Sequence, residues 1–151
     1  MEVVAYDPYL PAEVFEQQHA KSMSIDEVLK ISDLVTIHMP LTPETKNLSN
    51  AKFIARMKDD AVVLNMARGG IVNEEDMYEA LKSGKIGGYA SDVMEEELVD
   101  EGLDTKFHSP LIECDNFISS PHLGAQTVDA SRDIGAYIIQ KVKDALDLCA
   151  K

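Results

Sequence analysis

The stretch Asp60 to Val72, DAVVLNMARGGIV, constrains the fold more than any other part of this 151-residue chain. Its centre, Ala61-Val62-Val63-Leu64, is short and apolar at consecutive positions. Alternation would mark a strand with one wet face. An unbroken apolar run marks a strand covered on both faces, as in a parallel sheet between layers of helices. The run stops at Asn65, and Arg68 follows immediately before Gly69-Gly70. Paired glycines let backbone come close to a ligand where a side chain would collide. Ligands in open α/β sheets bind beyond the carboxyl ends of the strands, so Arg68 stands where an anion would be met. A surface arginine in a glycine turn has the same local sequence, and the rest of the chain must separate the two readings.

The order of elements supports the sheet. Glu2 to Tyr6 reads as a strand stopped by Asp7-Pro8, and Pro11 to Gln18 as a short helix with proline and acidic residues in its first turn. Ala20 to Met23 is an extended link. Ser24 and Glu27 form a capping-box pair opening a helix to Ile31. Leu34 to His38 is a strand ended by Pro40, a Thr- and Pro-rich loop follows, and Ala51 to Met57 reads as a short helix. Beyond the central strand, Asn73 caps a helix ending near Ser83-Gly84, and Tyr89 to Val93 is a strand. An irregular stretch leads to a last strand, Asn116 to Ser120, and a helix from Thr127 to Leu148 with Ile134, Ile138, Val142 and Leu146 every four residues. This alternation predicts a single α/β domain with a mostly parallel, doubly wound sheet over residues 1–151, closed by its C-terminal helix at 127–151.

Composition narrows the partners. Fourteen basic against twenty-seven acidic residues give a net charge of −13, which repels nucleic acid and anionic membrane surfaces. An anionic ligand must therefore be captured by local positive groups. Cys114 and Cys149 have no metal-ligand or disulfide-framework spacing, so no metal site is expected and a reducing cytoplasm is the expected setting. No apolar run is long enough to cross a bilayer, and the start lacks the pattern of a secretory signal.

Polar residues recur at one topological place, just after the predicted strands: Asp7, Arg68, the run Glu95-Glu96-Glu97, and His122. A carboxylate at a strand end can accept hydrogen bonds from both hydroxyls of an adenosine ribose, although Asp-Pro is also ordinary turn chemistry. Histidine is the side chain suited to moving a proton at a hydroxyl near neutral pH, and a neighbouring carboxylate would orient it and raise its pKa. Glu97 or a neighbour offers that carboxylate; the alternative is a solvated acidic face. His38 sits at a strand end where it would border a cleft, while His19 and His108 lie in polar or loop stretches.

These residues, together with Val4 to Tyr9, His38 to Thr45, Leu64 to Val72, Ser91-Asp92-Val93 and Pro121 to Ala125, resemble the nucleotide-binding domain of the D-isomer-specific 2-hydroxyacid dehydrogenases, most closely its phosphoglycerate dehydrogenases. The resemblance implies a Rossmann-like fold, NAD as cofactor, and a 2-hydroxy acid or 2-oxo acid as substrate. It assigns Arg68 to the substrate carboxylate and carbonyl, His122 to proton transfer, and Glu97 to that histidine, with Glu96 as the other candidate because Leu98 stands where the family usually has proline. It places Asp7 on the adenosine ribose and Met39-Pro40 along the adenine. Met66-Ala67 and Arg68 fall beside the nicotinamide, Asp92 on the carboxamide, and His122, Gly124 and Ala125 on the cofactor side of the cleft.

The family's G-x-G-x-x-G turn is not in this sequence, and the first strand here corresponds to the second of the family. The resemblance therefore implies a truncated domain whose partners include an N-terminal segment and a substrate domain. A strand lost between the one ending at Asp7 and the one ending near His38 would leave two interior edges open. The expectation is self-association as a homo-oligomer, with weak NAD binding or none by the chain alone. A non-catalytic assembly module, or half of a split enzyme, is the competing reading. A corepressor-like binding protein is a remoter one, disfavoured by Arg68, Glu97 and His122 occurring together.

Overall fold

The structure, a computed structural model, describes residues 1–95, 109–124 and 126–149. They fall into two compact units, Met1–Ser119 and Ser120–Lys151. The first contains β1 (Val4–Ala5), α1 (Ala12–Gln17), β2 (Lys21–Ser22), α2 (Ile25–Ile31), β3 (Leu34–Ile37), α3 (Ala51–Ile54), β4 (Ala61–Asn65), α4 (Glu74–Lys82), β5 (Ile86–Ser91), a 3-10 turn at Pro110–Glu113, and β6 (Phe117–Ser119). Every strand pairing is parallel, in a two-stranded sheet β1-β2 and a four-stranded sheet β3-β4-β5-β6. The α/β class and the parallel sheet are as expected.

The core explains why the central stretch is a strand. Ala61, Val63 and Asn65 of β4 are buried, and Ala61 and Val63 pack with Val35 and Ile37 of β3, Ile86 and Tyr89 of β5, and Phe53, Ile54, Met77 and Leu81 of the helices. Val62 and Leu64 are half-buried, so the second face of β4 is covered only in part. Caps fix the helix starts. Ser24 and Glu27 form the capping box of α2, with the Ser24 N–H donating to Glu27 Oε2 at 3.0 Å and the Glu27 N–H to Ser24 Oγ at 3.3 Å. Asn73 Oδ1 accepts from the Asp76 N–H at 2.9 Å and opens α4.

Several boundaries differ from expectation, each for a physical reason. The strand expected at Tyr89 to Val93 is Ile86–Ser91 and includes Gly87-Gly88. At Gly87 the close approach of the chains requires glycine, since a Cβ there would collide with Asp60 Oδ1 and Asp60 O, whereas a Cβ on Gly88 would meet nothing nearer than 3.7 Å. The helix expected to reach Met57 ends at Ile54, because Arg56 and Met57 donate to Phe53 and Ile54 three residues back, tightening the last turn. The first strand is only Val4–Ala5. The link at Ala20 to Met23 contributes Lys21–Ser22 as its parallel partner. The strand expected to include His38 stops at Ile37, and the last strand is Phe117–Ser119.

In the second unit α5 (Val128–Cys149) runs for 22 residues. Thr127 Oγ1 accepts from the Ala130 N–H at 3.1 Å, which supplies the first turn with an acceptor.

Candidate active site

Parallel register lines up the strand exits. Ile37 pairs with Asn65, Asn65 with Ser91, and Ser91 with Ser119, one row across the carboxyl edge of the four-stranded sheet. Immediately beyond this row in sequence come His38, Met66 to Arg68, Asp92 and the segment leading to His122. The exits of β3 and β4 enclose a groove of about 410 Å³ lined by His38, Met39, Pro40, Leu41, Met66, Ala67 and Arg68. The structure thus brings Met39, Pro40, Met66, Ala67 and Arg68 together, with His38 beside them.

The turn carrying Arg68 is built by Asn65. This side chain is 1% exposed, and Asn65 Oδ1 accepts from the Ala67 N–H at 3.2 Å while Nδ2 donates to the Arg68 carbonyl at 3.1 Å. A buried amide is costly unless paired, and these bonds let it reproduce the backbone pairing that ends with the strand. Arg68 Nη1 donates to the Ala67 carbonyl at 2.7 Å, and its guanidinium lies at the exposed mouth of the groove. Gly69 is fixed by close approach: an added Cβ would lie 1.8 Å from Met94 O. Gly70 has φ +78°, the left-handed region open to glycine, and its carbonyl accepts from the Asn47 N–H at 2.8 Å. That bond pulls the Thr-rich loop against the turn. The loop is itself braced by Thr45 Oγ1, which donates to the Pro40 carbonyl at 2.7 Å.

The other expected residues stand as follows. Asp7 is half-buried, does not line the groove, and accepts the Tyr9 N–H on Oδ1 at 2.8 Å, the local turn bond that its Asp-Pro sequence allows. Asp92 is 6% exposed and its N–H donates to the Asn65 carbonyl at 3.1 Å, beside the Arg68 turn. His122 and Gly124 belong to the second unit. There the His122 backbone has φ +53° and its N–H donates to the Ser120 carbonyl at 3.0 Å, a left-handed turn conformation in which histidine is over-represented. Glu97, with its alternative Glu96, and Ala125 lie outside the described residues. Among the described residues no three His, Cys, Asp or Glu side chains converge as a metal site, and no helix is long and apolar enough to cross a membrane.

A family model described as the D-isomer specific 2-hydroxyacid dehydrogenase, NAD binding domain, matches residues 1–124. The chain belongs to this family. A D-3-phosphoglycerate dehydrogenase from Methanocaldococcus jannaschii is 40% identical over 147 residues, covering 97% of this chain and 27% of that protein. A hydroxypyruvate reductase from Thermotoga maritima is 35% identical over 142 residues, 94% of this chain and 44% of that protein. The crystal structure of a D-lactate dehydrogenase from Aquifex aeolicus, complexed with NAD and lactic acid, superposes with a TM-score of 0.81 at 31% identity, covering 97% of this chain and 46% of that one. This 2-hydroxyacid dehydrogenase domain therefore spans about a quarter to a half of the length of such relatives.

Within the domain, two polar contributions, Asn65 and Tyr89, were not singled out from sequence. Asn65 looked like a strand terminator, and it is the scaffold of the Arg68 turn. His38, expected to border a cleft, does line the groove, and its Nε2 lies 2.8 Å from Thr36 Oγ1 two residues earlier. An i, i+2 relation along a strand places both on one face, so that contact was available to a periodicity argument. Tyr89 is buried, and burial first, opposed by hydrogen bonds from Ser91 and Asn65 and reinforced by the Glu74 charge, pushes its hydroxyl up to about 12.

Proposed function

We propose that this chain is the cofactor-binding domain of an NAD-dependent oxidoreductase acting on the CH–OH group of a D-2-hydroxy acid, of the phosphoglycerate dehydrogenase kind. The observation that carries the reading is the groove at the exits of β3 and β4, where Arg68 stands beside an apolar lining of Met39, Pro40, Leu41, Met66 and Ala67. That lining suits the flat rings of a dinucleotide, and the Gly69-Gly70 backbone leaves room for close approach. Met39 and Pro40 would flank the adenine, Met66 and Ala67 the nicotinamide, and Asp92 its carboxamide, with Gly124 and Ala125 beyond. Asp7 would take the ribose hydroxyls. The chemistry supplied by bound NAD is hydride acceptance.

The chain's own groups then divide the remaining work. Arg68 binds the substrate carboxylate and steadies the charge developing on the hydroxyl oxygen as its carbon is oxidised, a local cation in a chain of net charge −13. His122 takes the hydroxyl proton, and Glu97 orients its ring. In the whole enzyme, Arg68→Ala and His122→Ala should each lower turnover by about a hundredfold or more, while Glu97→Gln chiefly shifts the pH profile. Full turnover in either alanine variant would refute these roles, and an unchanged profile in Glu97→Gln would remove that residue.

A second reading is favoured by the sheet edges. Among the described residues β1 pairs only with β2 and β3 only with β4, so each presents an edge able to pair with another strand. On this reading the chain is an assembly module that completes its sheet with a further segment or a second copy, in a cytoplasmic homo-oligomer. Sedimentation separates the alternatives. A monomer at micromolar concentration that binds NAD tightly would exclude the assembly reading.

A further inference from the structure

The two walls of the groove are joined at the sheet and again beyond it. One wall, Met39 to Leu41, follows β3, and the other, Met66 to Arg68, follows β4. Where both start, the Met66 N–H donates to the Ile37 carbonyl at 3.3 Å. The first wall then runs into the loop of residues 42–50, whose second half is stitched to the chain that follows Arg68. The Asn47 N–H donates to the Gly70 carbonyl at 2.8 Å, the Ser49 N–H to the Ile71 carbonyl at 3.1 Å, and the Asn73 N–H to the Ser49 carbonyl at 3.1 Å. Asn50 Nδ2 donates to the Asn47 carbonyl at 2.9 Å while its Oδ1 caps α3, whose Phe53 and Ile54 are buried. This half of the loop and the Arg68 turn are thereby one braced body.

The first half is held differently. Met39 packs against the core, but Pro40 and Leu41 are exposed, so burial does not fix their position. A single hydroxyl does: Thr45 Oγ1 donates to the Pro40 carbonyl at 2.7 Å and accepts the Thr42 N–H at 2.7 Å. The Thr45 N–H in turn donates to Thr42 Oγ1 at 3.3 Å, which closes the turn on itself. Thr45 lies two residues before Asn47, and so this oxygen connects the exposed wall to the braced body that carries Arg68.

We infer that Thr45 is a positioning residue of the groove: its hydroxyl fixes the Pro40–Leu41 wall against the loop base and so sets the separation of the two walls between which a flat ring enters. The inference rests on the reading in which the cofactor lies in this groove. Thr45 does not line the groove and acts through Pro40. A wall already in place adds no ordering cost when a ligand arrives, whereas a loose one is ordered at the expense of affinity. The effect falls on cofactor binding and not on turnover, because the Arg68 turn is held by Asn65 and by the packing of Gly69, which Thr45 does not touch.

The test combines amide exchange with steady-state kinetics in the whole enzyme. Thr45→Val keeps the branched shape and loses the oxygen; Thr45→Ser keeps the oxygen. In Thr45→Val the Thr42 amide should exchange at least about tenfold faster. The KM for NAD should rise about 5- to 20-fold, the range that one or two net hydrogen bonds convert to, with kcat within about threefold of the parent. Thr45→Ser should stay within about threefold of the parent in all three readings, and Thr45→Ala replaces the valine variant if that does not fold. An unchanged Thr42 exchange rate, or faster exchange with an unchanged KM for NAD, would overturn the inference. So would a loss confined to kcat, or a serine variant as impaired as valine. If saturating NAD does not slow exchange of the Leu41 and Met66 amides in the parent, the cofactor reading is what fails, and the Thr42 exchange rate then decides whether Thr45 holds the wall.

Discussion

Adding one methyl group at Gly69 tests how tightly the Arg68 turn is packed. A Cβ there would sit 1.8 Å from Met94 O, 2.6 Å from Met94 C and 3.2 Å from Glu95 N, and all three atoms are backbone. No side-chain rotation can relieve such a contact, so the turn and the exit of β5 must separate by about 1 Å or more; overpacking of this kind costs ~1–3 kcal/mol. The firm attachments on both sides place Gly69→Ala toward the upper end, about 2–3 kcal/mol. At roughly 2–4 °C per kcal/mol for a domain of this size, the thermal midpoint should fall by about 4–12 °C. Gly135→Ala is the matched control. Its Cβ would meet nothing within 4 Å inside α5, and alanine in a helix interior gains ~0.5–1 kcal/mol over glycine. Thermal and urea unfolding followed by circular dichroism should thus show opposite signs for the same chemical change. A Gly69→Ala chain as stable as its parent would refute the packing argument.

Asn65→Ala strands the Ala67 N–H and the Arg68 carbonyl, and leaving buried groups unpaired costs ~1–3 kcal/mol each; urea unfolding should report about 2–4 kcal/mol, and less than 1 kcal/mol would contradict the scaffold role. Tyr89 contributes stability that is fully present below its ordinary value of 10 and is lost as pH rises toward about 12, because the unfolded chain releases the proton first. Tyr89→Phe should lack that alkaline loss in melts taken from pH 9 to 12, and parallel curves for the two proteins would refute it. Asp7→Ala, measured by cofactor titration in the whole enzyme, should weaken NAD more than NADP, since only the unphosphorylated ribose offers both hydroxyls. Equal weakening would leave Asp7 as a turn residue bonded to Tyr9.

What the sequence disclosed, and what it hid, follows from the range of the interactions. The α2 capping box and the Asn73 cap were legible because each is a local bond between residues three apart. The central strand was legible because burial writes itself into a run of apolar residues. The strand start at Ile86 was not legible because glycine at 87 has no sequence pattern of its own, and only the position of Asp60 against it explains it. Arg68 and the strand-end position of His38 were legible, but that His38 to Leu41 meet Met66 to Arg68 in one groove depends on the parallel pairing of β3 with β4. The bonds that Glu74 accepts from the Glu95 N–H and the Ser109 hydroxyl join positions far apart in the chain, and no local pattern announces them.

The central claim is that the groove between the exits of β3 and β4 is where the cofactor lies against Arg68. Amide chemical-shift mapping of the ¹⁵N-labelled chain, with NAD added to millimolar concentration, tests it most directly because it registers weak binding as well as tight. The account predicts that amides of His38 to Leu41 and Met66 to Gly70 shift together in a saturable way, Pro40 excepted because it has no N–H. No movement at those positions while amides elsewhere shift, or no movement anywhere, would contradict it.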